Sequence, residues 1–287
     1  GSYGTGKATI LLGATDSIGV NIQYTQHIKV NIRNLIIEGV YDAENETGGS
    51  NYQLGIYVWN FTSISPLSSN KISQVNIANC EISNIKNGGI SVVSGDFGKA
   101  ITCHIDSNLI YDLGGAGIGM SYNWHSNSRI YANTIHDIYG LSTNVYDYGI
   151  VVALCKDVAI ERNLLYNIGW LPTYSGIGIQ MGASKNIRVR YNEIYNVVNN
   201  SFTDCEAINF ENGTDSSLAE FNYIHDTPGM GVLISGNSSA TSIINNYKTY
   251  ATDRGSIDSG SADYNVVRYN LFKNLQNSSD ENFQAIR

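Results

Sequence analysis

The chain has 287 residues, a formal net charge of −8, 29 glycines and only 3 prolines. That charge argues against a phosphate-neutralising face for nucleic acid, and no run of about 20 apolar residues is present to span a membrane as a helix. No proline-rich or charged linker interrupts the chain, so residues 1–287 are expected to form one elongated domain.

Read in chain order, one phrase recurs: an aliphatic pair, a turn residue, and a second aliphatic pair. It centres first on Leu35 and Cys80, then on Asn108, Asn133, Asn163, Asn192, Asn222, Asn246 and Asn270, at separations of 24 to 45 residues. The segments Ile105 to Leu113, Ile130 to Ile138 and Val189 to Val197 superimpose without a gap. A repeat of this length is a stacking unit, because one unit cannot close a core alone. Within each unit apolar and polar residues alternate, the period of a strand. A further strand precedes each phrase, marked by a small residue and an aliphatic one: Gly89-Ile90, Gly117-Ile118, Gly149-Ile150, Gly176-Ile177, Ala207-Ile208 and Gly231-Val232. Three short strands per unit, without an amphipathic helix between them, predict an all-β solenoid, a parallel β-helix of about nine coils whose three sheets rise by about 4.8 Å per coil. The asparagine column is read as structural. Stacked amides bond to neighbours above and below, and asparagine tolerates the left-handed backbone of a tight turn.

The asparagine turn, the Gly-Ile strand and the variable loop before that strand resemble the right-handed parallel β-helices of the pectate-lyase-like superfamily. The opening Gly1 to Ile10 is similar to a segment that follows upstream strands in secreted β-helix proteins, so the resemblance implies that a natural N-terminal part is missing. It also implies a secreted or cell-surface protein that works on polysaccharide or oligosaccharide.

Four cysteines, Cys80, Cys103, Cys155 and Cys205, permit three pairings; the first two fall in core and turn columns, which favours buried thiols. No CxxC, HExxH or zinc spacing occurs. The histidine column, with His136 and His225 alternating with Tyr111, Tyr166 and Tyr195, reads as a surface aromatic stack, and Glu161, Arg190 and Glu220 as cross-strand ion pairs.

Three neighbouring coils carry long loops before the Gly-Ile strand: Tyr139 to Tyr148, Gly169 to Ser175 and Val198 to Glu206. Stacked coils turn these into one wall beside a shallow groove, since insertions gather on the face free to acquire a function. The floor is expected to be Gly119, Ser121, Val151, Ala153, Gly178, Gln180, Asn209 and Glu211, and the aromatic walls Tyr146, Tyr148, Trp170 and Tyr174, with Trp124 opposite. Carboxylates of this region are Asp147, Asp204, Glu206 and Glu211. Asp147 and Glu206 end their loops at near-equivalent places two coils apart, roughly 10 Å at the coil rise. That spacing suits an inverting glycosidase, in which water fits between base and sugar.

The leading expectation is therefore a glycoside hydrolase with Asp147 and Glu206 as its acid–base pair and Gln180, Asn209, Glu211 and the aromatic walls as substrate contacts. No cofactor is firmly implied; Ca²⁺ can be held by the same acids. A polysaccharide lyase needs a cation beside the uronate carboxylate, and the inferred floor has no lysine or arginine. The polygalacturonase and alginate-epimerase motifs of the resembling superfamily are missing too. A non-catalytic glycan-binding module or surface-fibre adhesin uses the same groove.

Overall fold

The computed structural model describes residues 6–15, 17–23, 29–49, 52–59, 72–94, 101–122, 127–140, 146–169, 175–198, 206–227, 230–234, 264–273 and 275. Within them, strands of three to eight residues assemble into three parallel sheets of nine, eight and eight strands, here sheets A, B and C. Each strand pairs with the equivalent strand of the preceding and following coil, so sequence neighbours lie in different sheets and spatial neighbours lie one repeat away. This is the expected parallel β-helix.

Register follows from the aliphatic columns. In sheet B, Ile90, Ile118, Ile150, Ile179, Ile208 and Val232 stand one above another, and all are at most 1% exposed. A one-residue slip would turn every such column toward solvent, which is why β-branched columns lock a parallel stack. The small residue before each isoleucine marks where the strand bends to meet sheet A. A Cβ at Gly117 would lie 2.6 Å from Ile135 Cγ2 and 2.7 Å from the Gly149 carbonyl oxygen, so only glycine permits that approach.

The turn between sheets C and A carries the asparagine ladder. Asn108, Asn133, Asn163, Asn192 and Asn222 are at most 2% exposed. Asn133 Oδ1 accepts from the backbone N–H and Nδ2 of Asn108 at 2.9 Å each, and the pattern repeats upward. The left-handed backbone falls on the residue before each asparagine, not on the asparagine itself. Ser107, Ala132, Arg162, Tyr191, Phe221 and Tyr269 all have φ between 54 and 58°. Tyr191, Phe221 and Tyr269 compensate that strain by stacking at 5.2 Å between centroids, with Arg162 and Arg268 over the outer rings. Asn246 lies outside the described residues, and the ladder passes directly from Asn222 to Asn270. The strand Ala8–Leu11, which the repeat column did not include, supplies another coil of sheet A by pairing with Leu35–Glu38.

The outer face of sheet A carries the expected ring column. Tyr111, His136, Tyr166, Tyr195 and His225 stack at 4.7 to 5.2 Å. On sheet C, Arg190 reaches Glu161 at 2.9 Å through Nε and Glu220 at 3.6 Å, and Arg268 reaches Glu220 at 2.8 Å. Cys80, Cys103 and Cys155 are buried free thiols; Cys205 lies outside the described residues.

Candidate functional site

The groove lies on the outer face of sheet B. Alternation along its strands directs two columns outward: Tyr57, Ser91, Gly119, Val151, Gln180 and Asn209, then Trp59, Val93, Ser121, Ala153, Gly182 and Glu211. Toward the first coils these small side chains line a shallow cavity of about 240 Å³ together with Leu54, Asn87, Gly88 and Ala116. Gly119, Ser121, Val151 and Ala153 are thus floor residues, as expected from the sequence. Gly178 is not: a Cβ there would lie 2.9 Å from Ile194 Cγ2, on the core side.

Over the strands Ser175–Gly182 and Glu206–Glu211 the floor becomes polar. Gln180 Nε2 donates to Glu211 Oε2 at 2.6 Å, and Asn209 Nδ2 approaches Glu206 Oε2 at 3.5 Å. Gln180 and Asn209 are in register on adjacent strands, so the four side chains form one cluster, two central amides flanked by two carboxylates. Glu206 is 0% exposed, Asn209 2% and Gln180 8%, while Glu211 is half-buried.

Asp147 and Glu206 do not occupy equivalent places. Asp147 is paired with Gly176, whereas Glu206 is paired with Ile177 and, through it, with Tyr148. The loops differ in length by enough to set the two acids one residue out of step, and successive strand residues point to opposite sides. The Asp147 carboxylate accordingly packs against Gly140, whose φ is 98°; a Cβ there would sit 2.2 Å from Asp147 Oδ2. Its charge also acts on Tyr41, whose hydroxyl is pushed up to about 12 first by burial, then by Glu46, Asp42 and Asp147. Asp147, 0% exposed, therefore belongs to the corner between sheets A and B, and Glu206 to the outer-face cluster.

Tyr148 is half-buried in the Glu206 column. Trp170, Tyr174, Trp124 and Asp204 lie outside the described residues, as does the side chain of Tyr146. Sequence reading passed over another aromatic pair, Tyr57 and Trp59, whose rings meet edge to face at 5.8 Å. The signal was available, since Gly55-Ile56 is the same small-aliphatic phrase one coil earlier. Among the described residues no group of three or more His, Cys, Asp or Glu is arranged to hold a metal ion, and no helix is long and apolar enough to cross a membrane.

The family described as right handed beta helix region matches residues 55–248. Three solved structures are similar to the chain. Tailspike protein 2 of bacteriophage CBA120, as its enzymatically active domain, has 14% identity and a TM-score of 0.49 over 92% of this chain and 35% of that one. The A-module of a mannuronan C-5 epimerase from Azotobacter vinelandii has 12% identity and a TM-score of 0.49 over 98% of this chain and 81% of that one. The full-length tailspike protein 2 has 15% identity and a TM-score of 0.43 over 92% of this chain. The chain thus spans about a third of the length of the tailspike chains, 35% and 34%. No curated protein matches it.

Proposed function

The chain belongs to the right-handed β-helix family, and from that premise we propose that it is an extracellular glycan-active protein that lays a polysaccharide along the outer face of sheet B. A row of small side chains leading into the Gln180–Glu211 and Asn209–Glu206 cluster supports this reading. Small residues admit an extended chain close to the backbone, Tyr57 and Trp59 offer an aromatic surface at one end, and amides with carboxylates offer directed polar contacts at the other. The chemistry proposed is hydrolysis, with Glu206 and Glu211 as the carboxyl pair and Asp147 given a packing role against Gly140. One carboxyl protonates the leaving oxygen while the other activates water, the two-acid division of labour of glycosidases.

A second reading, a binder without turnover, is favoured by one observation: Glu206 is fully buried, whereas an acid–base group must reach its substrate. A panel of polysaccharides assayed for binding and for reducing-end products separates the two. Hydrolysis predicts products that disappear in Glu206→Gln and Glu211→Gln while binding persists. Binding with no products from the unaltered protein leaves the binder; unsaturated products would point to a lyase instead.

A further inference from the structure

Away from the groove, the outer face of sheet C and the turn that joins it to sheet A carry a cationic strip, on a chain whose net charge is −8. In one outward column of sheet C, Glu161, Arg190, Glu220 and Arg268 alternate, so each guanidinium finds a carboxylate one coil away. The columns on either side hold arginines with no such neighbour. Arg188 stands between Ala159 and Leu218, and Arg162 shares the turn column with Tyr191, Phe221 and Tyr269. Both arginines are exposed. Among the described residues neither side chain meets a carboxylate, and Arg162 has only the Tyr191 ring, 5.3 Å from its guanidinium carbon to the centroid. Across the turn, Glu193 is engaged by His225 Nε2 at 3.2 Å.

The rings beside these arginines are exposed, Tyr191 by 47%, Phe221 by 42% and Tyr269 by 70%. Their faces are nevertheless closed, since the rings cover one another at 5.2 Å and Arg162 and Arg268 lie over the outermost two. It is mainly ring edge, the positive side of an aromatic quadrupole, that meets solvent. A nucleobase or a neutral sugar stacks on a free face, whereas edges and guanidinium N–H groups suit an anion. The arginine fork matches a carboxylate, and this sheet already uses the pairing: Arg129 holds Asp106 through Nε at 3.0 Å and Nη2 at 2.6 Å. From Arg162 to Arg268 the strip crosses three coil rises, roughly 14 Å, enough for an extended chain to place more than one carboxylate.

We propose that this strip is a second carbohydrate-binding surface, separate from the groove of sheet B, and that it takes a polyuronate whose carboxylates pair with Arg162 and Arg188. The two arginines left out of the alternating column are the ones that an external carboxylate completes. A polyuronate carries its carboxylates along a stiff chain, which loses less freedom on lying down than an acidic peptide does. The inference holds whether or not the groove of sheet B turns over a substrate.

The full chain is run in affinity gels containing polygalacturonate, its carboxyl-reduced product, dextran sulfate, polyglutamate or single-stranded DNA, with dissociation constants from titration calorimetry at low and moderate salt. Polygalacturonate is expected to retain the protein, less so as salt rises. Arg188→Gln, at a position where no side-chain contact is lost, should weaken that binding about threefold, and Arg162→Gln with Arg188→Gln about tenfold. Binding of the carboxyl-reduced polymer should not change in either variant. No binding of polygalacturonate by the unaltered protein, or the same binding in both variants, overturns the proposal. An equal loss with the reduced polymer overturns it too, because the arginines would not then be reading charge. Equal or tighter binding of dextran sulfate, polyglutamate or single-stranded DNA overturns the assignment to a polyuronate.

Discussion

Replacing Asn163 with alanine tests whether the buried amide ladder adds stability that the aliphatic core does not supply. Asn163 Oδ1 accepts from the Asn133 backbone N–H at 2.9 Å and from Asn133 Nδ2 at 3.0 Å. Its own Nδ2 donates to the Ile130 carbonyl and to Asn192 Oδ1, each at 3.0 Å. Alanine removes all four bonds. Asn133 Nδ2 keeps the Ile105 carbonyl, and Asn192 Oδ1 keeps the Asn163 backbone N–H. The Asn133 backbone N–H has a single hydrogen and is left without its acceptor in a site that is 1% exposed. An orphaned buried donor costs about 1–3 kcal/mol and each other lost bond about 1 kcal/mol, partly offset by relaxation, so a loss of about 3–5 kcal/mol is expected. Asn163→Asp keeps the acceptor role but turns a second oxygen toward two acceptors and buries a charge. It should be at least as destabilising near neutrality and recover as acid protonates the carboxyl. Urea unfolding followed by far-ultraviolet circular dichroism measures both. A loss below about 1 kcal/mol for the alanine variant, with an unchanged denaturant slope, refutes the reasoning.

Three other outcomes follow from particular contacts. Gly140→Ala places a Cβ 2.2 Å from Asp147 Oδ2 at a φ of 98°, so it should cost about 2–3 kcal/mol. Combining it with Asp147→Ala should cost less than the sum of the two single changes, because the clash partner is gone, and strict additivity in a thermal-melt cycle would count against the packing role. Tyr41 and Tyr139 are both pushed up to about 12, by burial first and then by nearby carboxylates. A phenol ionises near 10 in the unfolded chain. The stability these groups contribute is therefore complete below pH 10 and lost as pH rises toward 12. Ultraviolet titration of the 20 tyrosines should show a fraction that ionises only as the protein unfolds, and a single reversible transition of all of them near 10 would contradict it. Arg190→Met removes two ladder contacts, to Glu161 and Glu220, of a part-buried arginine, while Glu220 keeps Arg268; solvent-screened pairs contribute about 0–1 kcal/mol each, so a loss of at most about 2 kcal/mol is expected in urea unfolding, and a larger one would show that the sheet C ladder holds register.

The scaffold was legible because stacking makes one-dimensional information sufficient. Each inward aliphatic of sheet B meets the same residue type one coil away, so most of the Ile90 to Val232 column can be read by aligning the chain with itself; the phrase Gly176-Ile177 falls two residues early, since Ile179 and not Ile177 stands between Ile150 and Ile208. The ladder was legible for the same reason, although the residue bearing the left-handed backbone was misassigned by one position: Tyr191 and Phe221 carry it, against their intrinsic preference, because Asn192 and Asn222 must point inward to bond. The site was less legible because it depends on loop ends, where length varies from coil to coil and period two no longer counts residues reliably. Asp147 and Glu206 look equivalent when aligned by the end of the loop. Aligned by the strand, Asp147 matches Gly176 and Glu206 matches Ile177, and that single step sends one acid to the corner and the other to the groove.

The same step explains why Glu211 and Gln180 were easier to assign than the acids nearer the loops. Both lie beyond the fixed Gly-Ile phrase, Gln180 one and Glu211 three residues downstream of a buried isoleucine, so their outward direction follows by alternation from Ile179 and Ile208 without any knowledge of the loops. A position counted from the core inherits the register of the core. A position counted from an insertion inherits only the length of that insertion. For this solenoid the groove floor is therefore the part of the site that sequence determines, and the choice among its carboxylates is decided by how each loop rejoins its strand.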